Sequence, residues 1–120
     1  MKSSLYKQNI IDHYKNPRNF GVIDNADKSE KIENISCGDE LTLYIKTDGK
    51  VITDVKFQGS GCAISIASAS MLYDKLKGMD LEQVRRIGPD EIFDMIGMSN
   101  DTPRVKCVLL SWEALKKIIR

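Results

Sequence analysis

The sequence predicts an α+β fold, with helices packed mainly on one face of an antiparallel sheet. Three observations carry this reading. The N-terminal segment has helical spacing, the middle alternates apolar and polar residues, and the second half returns to helical spacing. Helices and strands are segregated along the chain, whereas α/β folds with parallel sheets alternate them.

The first helix is expected from Ser4 to Asn16, capped by Ser3 or Ser4, with Tyr6, Ile10, Ile11 and Tyr14 on one face. Pro17 ends it, because the residue before proline avoids helical geometry. A polar loop leads to a short strand, Ile32 to Ser36. Leu41, Leu43 and Ile45 alternate with polar partners in a second strand. Asp48-Gly49 signals a type I′ hairpin, and Val51, Val55 and Phe57 continue the alternation on the return strand. Gly59-Ser60-Gly61 breaks it. A helix rich in Ala and Ser follows, Ala63 to Lys77, ending at Gly78. Ser65, Ser68 and Ser70 form its small-residue packing face. Asp80 and Gln83 make a capping box for a helix to Ile87, and Pro89 to Ile96 forms another. The last helix runs from Pro103 to Ile119, with a core stripe of Val105, Val108, Leu109, Trp112, Leu115 and Ile119.

At 120 residues the chain has the length of one domain, taken as residues 1–120. It is 42% hydrophobic and 29% charged, which points neither to disorder nor to a fibre. No apolar run reaches the roughly 18 residues a membrane span needs, and the N-terminus lacks the apolar core of a signal peptide. A cytoplasmic protein is expected. The net charge of +1 gives no case for nucleic acid. Lys116, Lys117 and Arg120 instead suit a helix C-terminus. A single histidine excludes the common zinc-hydrolase triads and a His₃ zinc site, and no Ser/His/Asp constellation is supported. His13 itself reads as a surface or packing histidine, and Met95 and Met98 as core or gap-filling residues. Three cysteines, an odd number, argue against a disulfide framework.

The thiols are therefore the functional candidates. Cys37 lies in Ser36-Cys37-Gly38-Asp39 between two strands, where Gly38 lets the thiol and the carboxylate face one cation. A buried cysteine beside a turn aspartate is the alternative. Cys62 follows Gly59-Ser60-Gly61 at the start of a helix, where the helix dipole lowers a thiol pKa. The alternatives are a small residue at a tight junction, or a phosphate loop that lacks its Gly-Lys-Ser/Thr. Cys107 lies near the start of the last helix, roughly 140° from the centre of the apolar stripe, so it is not at an obvious core position. Three thiolates and one carboxylate suit tetrahedral zinc or an iron–sulfur cluster. A permanent cluster usually takes four cysteines. One harder ligand weakens the hold on iron, which suits a protein that gives its cluster away.

Together these motifs resemble the IscU-type iron–sulfur cluster assembly scaffolds, which include the N-terminal domain of NifU and the SufU branch. The resemblance rests on Tyr14-Lys15-Asn16-Pro17-Arg18-Asn19-Phe20-Gly21, on Cys37-Gly38-Asp39 and on Gly59-Ser60-Gly61-Cys62-Ala63-Ile64-Ser65. Arg104-Val105-Lys106-Cys107 with Trp112-Glu113-Ala114-Leu115 completes it. It implies an IscU/SufE-like fold with a three-stranded antiparallel sheet. It implies that Cys37, Asp39, Cys62 and Cys107 surround a metal or cluster, with Cys107 the first sulfur acceptor and Asp39 the source of lability. Fe²⁺ and a transient [2Fe–2S] cluster are the implied cargo, and Zn²⁺ is an alternative occupant. The implied partners are a cysteine desulfurase and recipient apo-proteins, with a chaperone and an iron donor as further ones.

Three differences from the family patterns stand out. Lys106 occupies a position that is histidine in the IscU branch and is similar to the SufU branch. Yet Gly78 to Thr102 is too short for the SufU insertion. The chaperone motif Leu-Pro-Pro-Val-Lys is also missing, and Thr102-Pro103-Arg104-Val105-Lys106 is a loose echo of it. The expected function is a non-enzymatic scaffold. The alternatives are a zinc-dependent sulfurtransferase relieving the desulfurase of persulfide, and a structural zinc domain that binds partners.

Overall fold

The computed structural model describes residues 4–35 and 38–120; Met1 to Ser3, Ser36 and Cys37 lie outside the described residues. The elements run α1 (Ser4–Lys15), β1 (Lys28–Asn34), β2 (Asp39–Thr47), β3 (Ile52–Ser60), α2 (Ala63–Asp74), α3 (Leu81–Arg85), α4 (Pro89–Ile96) and α5 (Val105–Ile118). The strands form one antiparallel sheet in the order β1-β2-β3. The α+β reading and the three-stranded sheet both hold.

Alternation along the strands sorts the side chains. Leu41, Leu43, Ile45, Val55 and Phe57 point into the core and are almost fully buried. Glu33, Glu40, Gln58 and Lys46 lie on the other face or at its rim. α2 and α5 lie on the apolar face, α2 against β3 and α5 against β1 and β2. α1 and α4 pack outside α2. Helix α2 is therefore enclosed, and every residue from Ser65 to Tyr73 is buried. This explains its lack of an amphipathic stripe.

Several local expectations need correction. In α1, Ile10 is buried but Ile11 and Tyr14 are exposed. The inward face is shared instead with His13, whose Nδ1 lies 2.7 Å from Ser70 Oγ. The expected cap falls on Ser3, outside the described residues, or on the Ser4 side chain, which is likewise not described. β1 begins at Lys28, ahead of the expected Ile32. Its sequence is polar because it is an edge strand, and backbone pairing alone extends it. The end expected at Ser36 lies outside the described residues.

The hairpin is present, but not as a type I′ turn. Thr47 pairs with Ile52, and Asp48 Oδ1 accepts from the Lys50 and Val51 amides. Of the two turn residues only Gly49 has positive φ, whereas type I′ needs both. A register shift beside Lys46/Thr47 then puts Ile52, not Val51, in the core. α2 ends at Asp74, short of Lys77, and Gly78 turns the chain with φ +87. α3 ends at Arg85, short of Ile87; its capping box from Asp80 and Gln83 is present.

The largest correction concerns α5. Its buried residues are Cys107, Val108, Leu110, Ser111, Ala114, Leu115 and Ile118. At 100° per residue, that arc is turned by about a quarter-turn from the expected stripe. Leu109 and Trp112 lie at the flank, with Trp112 Nε1 donating to the Ile87 carbonyl at 2.8 Å. Small residues face α2 because the helices approach closely. Ser68 Oγ donates to the Val108 carbonyl at 2.9 Å, and Tyr73 Oη to that of Ser111 at 2.8 Å. Cys107 thus stands inside the buried arc, 3% exposed.

Between α1 and β1, the chain folds back along the open edge of β3. Phe57 N donates to the Asn19 carbonyl and Gly21 N to the Phe57 carbonyl, at 2.9 and 2.8 Å. Asn19 adopts φ +61, a left-handed conformation that asparagine tolerates. The Arg18 amide donates to Ser70 Oγ at 2.9 Å. The Asn16 to Gly21 motif is thus a structural clasp, and it closes one sheet edge.

Candidate metal centre

Three elements converge at one end of the sheet. Asp39 opens β2, Cys62 is the N-cap of α2, and Cys107 lies in the first turn of α5. One ligand atom from each lies within 4.8 Å of the others. Asp39 is 2% exposed and Cys107 is buried, whereas Cys62 is half-buried. Sequence reasoning named all three. Cys37 lies outside the described residues, but its neighbour Gly38 has φ +70 and its amide returns to the Ile35 carbonyl at 3.3 Å.

The Asp39 carboxylate is held at both oxygens. Oδ1 accepts from the Cys62 amide at 2.9 Å. Oδ2 accepts from the Ser65 hydroxyl at 2.7 Å. Asp39 thereby satisfies one of the orphan amides at the start of α2, the work a capping side chain normally does. Gly61 makes room for it: φ is +145, and an added Cβ there would overlap Asp39 Oδ1. Sequence reasoning missed both supporting residues. Gly61 reads as a strand-breaking glycine and Ser65 as part of a packing face. The spacing signal was present, since Ser65 follows Cys62 by one helical turn and so shares its face.

Cys62 Sγ stands 4.0 Å from Asp39 Oδ2 and 3.6 Å from Ser65 Oγ. Burial pushes its pKa up and the Asp39 charge adds to that push. Hydrogen bonding with Ser65 and with the Cys107 thiol outweighs them and holds the thiol below its ordinary value. This is the direction expected at a helix N-terminus.

The donors fit a tetrahedral thiophilic cation. Zinc takes sulfur at about 2.3 Å and carboxylate oxygen at about 2.1 Å, which places ligand atoms about 3.6–3.8 Å apart. The observed separations need to contract by only about 1 Å. Two thiols and one carboxylate are too soft a set for magnesium or calcium, which take oxygen ligands. A surface hollow of about 580 Å³ is lined by Asp90, Phe93, Asp94 and the Gly97–Asn100 segment. None of the site residues lines it.

The NifU-like N-terminal domain family matches residues 5–120. The chain belongs to that family. Among its relatives is the zinc-dependent sulfurtransferase SufU of Bacillus subtilis, 40% identical over 95% of this chain and 88% of its own. Another is the iron–sulfur cluster assembly scaffold protein IscU of Thermotoga maritima, 38% identical over 97% and 96%. Both alignments, of 131 and 136 positions, are longer than this NifU-like chain, so each relative carries residues it lacks. Among solved structures, FiSufU of Fervidobacterium islandicum, a candidate iron–sulfur cluster assembly scaffold for the SUF system, superposes with a TM-score of 0.85. It shares 33% identity, and the match covers 98% of each chain. The NifU-like N-terminal protein of Brucella abortus shares the fold, at a TM-score of 0.78 and 21% identity. No helix among the described residues is long and apolar enough to cross a membrane.

Proposed function

We propose that this protein is a scaffold that accepts sulfur from a cysteine desulfurase, gathers iron, builds a [2Fe–2S] cluster and passes it to apo-proteins. The observation that carries the reading is the convergence of Asp39, Cys62 and Cys107 within 4.8 Å. Cys37, two residues before Asp39, is the fourth ligand of this reading. A mixed set of thiolates and one hard carboxylate holds iron less firmly than four thiolates do.

Cys107 is the proposed sulfur acceptor. Its thiolate attacks the terminal sulfur of the donor persulfide. The donor S–S bond breaks, the donor leaves as a thiolate, and a persulfide forms on Cys107. Reduction of that sulfur to sulfide then takes two electrons from an external thiol or electron carrier. Because Cys107 is buried, this transfer requires the first turn of α5 to open. That turn starts at Arg104, which supplies no side-chain cap.

A second reading, zinc-dependent sulfur transfer, is favoured by Lys106 and by the zinc-sized spacing of the donors. Asp39, Cys62 and Cys107, with Cys37, are the residues that would hold the ion. Bound zinc would keep the thiols deprotonated.

Anaerobic reconstitution with iron, cysteine and a desulfurase separates the two. A visible cluster spectrum that moves to an apo-ferredoxin establishes the scaffold. Tight zinc binding and faster desulfurase turnover without a cluster establish sulfur transfer. Under the scaffold reading, zinc inhibits cluster assembly.

A further inference from the structure

Three serines of α2 look alike in sequence but have separate tasks. Ser68 bonds the Val108 carbonyl of α5. Ser70 joins His13 and the Arg18 amide. Ser65 alone turns towards the thiols. It is 2% exposed, its hydroxyl donates to Asp39 Oδ2 at 2.7 Å, and its oxygen lies 3.6 Å from Cys62 Sγ.

We propose that Ser65 is a positioning residue: its hydroxyl locks the Asp39 carboxylate in the orientation that sets Oδ2 beside Cys62 Sγ, in the cluster that includes Cys107, ready for a thiophilic divalent cation. This rests on the reading of Asp39 as a ligand. A carboxylate on a strand end normally rotates about its terminal torsion, which is broad. Here two donors from one helix end grip opposite oxygens, the Cys62 amide on Oδ1 and the Ser65 hydroxyl on Oδ2. Rotation breaks both bonds at once in a site with little water to replace them. Each oxygen has two acceptor positions, so Oδ2 retains one for a metal while Ser65 occupies the other. Hydrogen-bonding partners of this kind orient metal ligands, and their loss typically costs 10–100-fold in affinity.

The test is zinc affinity of the purified, metal-free chain, measured by competition with a chromophoric chelator. Thermal melts confirm that each variant is folded. Ser65→Ala is expected to weaken zinc about 10-fold or more. Ser65→Thr, which keeps the donor, is expected to stay within about threefold of the parent. In an Asp39→Ala background, Ser65→Ala is expected to add no further loss, because the serine acts through the carboxylate. Cobalt(II) substitution supplies a second readout: its ligand-field bands shift in Ser65→Ala as the carboxylate disengages.

Unchanged affinity in Ser65→Ala, with weakened binding in Asp39→Ala, overturns the role of Ser65 and leaves Asp39 a ligand. An equal loss from Ser65→Ala with and without Asp39 also overturns it, since the serine then supports only the fold. A Ser65→Thr protein no better than Ser65→Ala overturns the donor role. Unchanged affinity in Asp39→Ala removes the ligand reading itself, and Ser65 with it.

Discussion

A single missing methyl group shapes the site. Gly61 has φ +145, and a Cβ there would overlap Asp39 Oδ1. Gly61→Ala therefore carries both backbone strain and a displaced carboxylate. Strain of this kind costs of order 1–3 kcal/mol, so the urea midpoint of the metal-free protein is expected to fall. Zinc affinity, measured by chelator competition, is expected to fall with it by about 10-fold, as for the loss of a ligand-orienting partner. A variant that loses stability but binds zinc normally would place the strain elsewhere in the turn. The same residue marks how far the site was legible. Asp39, Cys62 and Cys107 were readable because, taken together with Cys37, they make up a metal-ligand set in a chain with one histidine. Gly61 and Ser65 were not, because their work depends on β2 meeting the start of α2. That contact lies more than 20 residues away along the chain, and the one local sign of it is the helical spacing of Ser65 from Cys62.

Between elements, the polar contacts of α2 decide the packing. His13 of α1 faces Ser70, and its surroundings include Asp12, Arg18 and Asp74. Burial lowers its pKa first, and the Arg18 charge lowers it further, against the opposing pull of Asp12 and Asp74. The unfolded chain then binds the proton more readily than the folded one. The stability this group contributes is complete above its unfolded pKa of about 6.5 and is lost as pH falls below that value towards the folded pKa. Urea midpoints at pH 7.5 and 5.5 check this: His13→Gln is expected to show a smaller drop than the parent. On the other side of α2, Tyr73 is fully buried and donates to the Ser111 carbonyl. Tyr73→Phe leaves that bond unmade and is expected to cost about 1 kcal/mol in denaturant unfolding. These contacts also explain why the buried face of α5 was misread. Leu109 and Trp112 are large and apolar, so a hydropathy pattern centres on them. The true face includes Ser111 and Ala114, whose small size lets α2 approach. The same local blindness hid the length of β1, a polar edge strand held by backbone pairing, and the loop type after Asp48, where a side chain accepts two amides.

Across the whole molecule, the fold class was legible because helices and strands are segregated along the chain and the sheet alternates cleanly. The bulge beside Lys46/Thr47 was not, since one extra residue in β3 silently exchanges Val51 for Ile52 in the core. The candidate centre binds these parts together. Asp39 comes from β2, Cys62 from the β3–α2 junction and Cys107 from α5, so one ion would cross-link the sheet to both helices that cover it. A ligand that binds only the folded state stabilises it by RT ln(1 + [L]/Kd), about 2.7 kcal/mol at 100 times Kd. Zinc is therefore expected to raise the thermal midpoint of the metal-free chain by several degrees, and a chelator to reverse the gain. Cys62→Ser and Cys107→Ser are each expected to abolish most of that rise, because each removes a ligand from a different element. A surface cysteine coordinating zinc alone would give a smaller rise that survives one of the two substitutions. Differential scanning calorimetry of the three proteins, with and without zinc, distinguishes a cross-link through the core from binding at its edge.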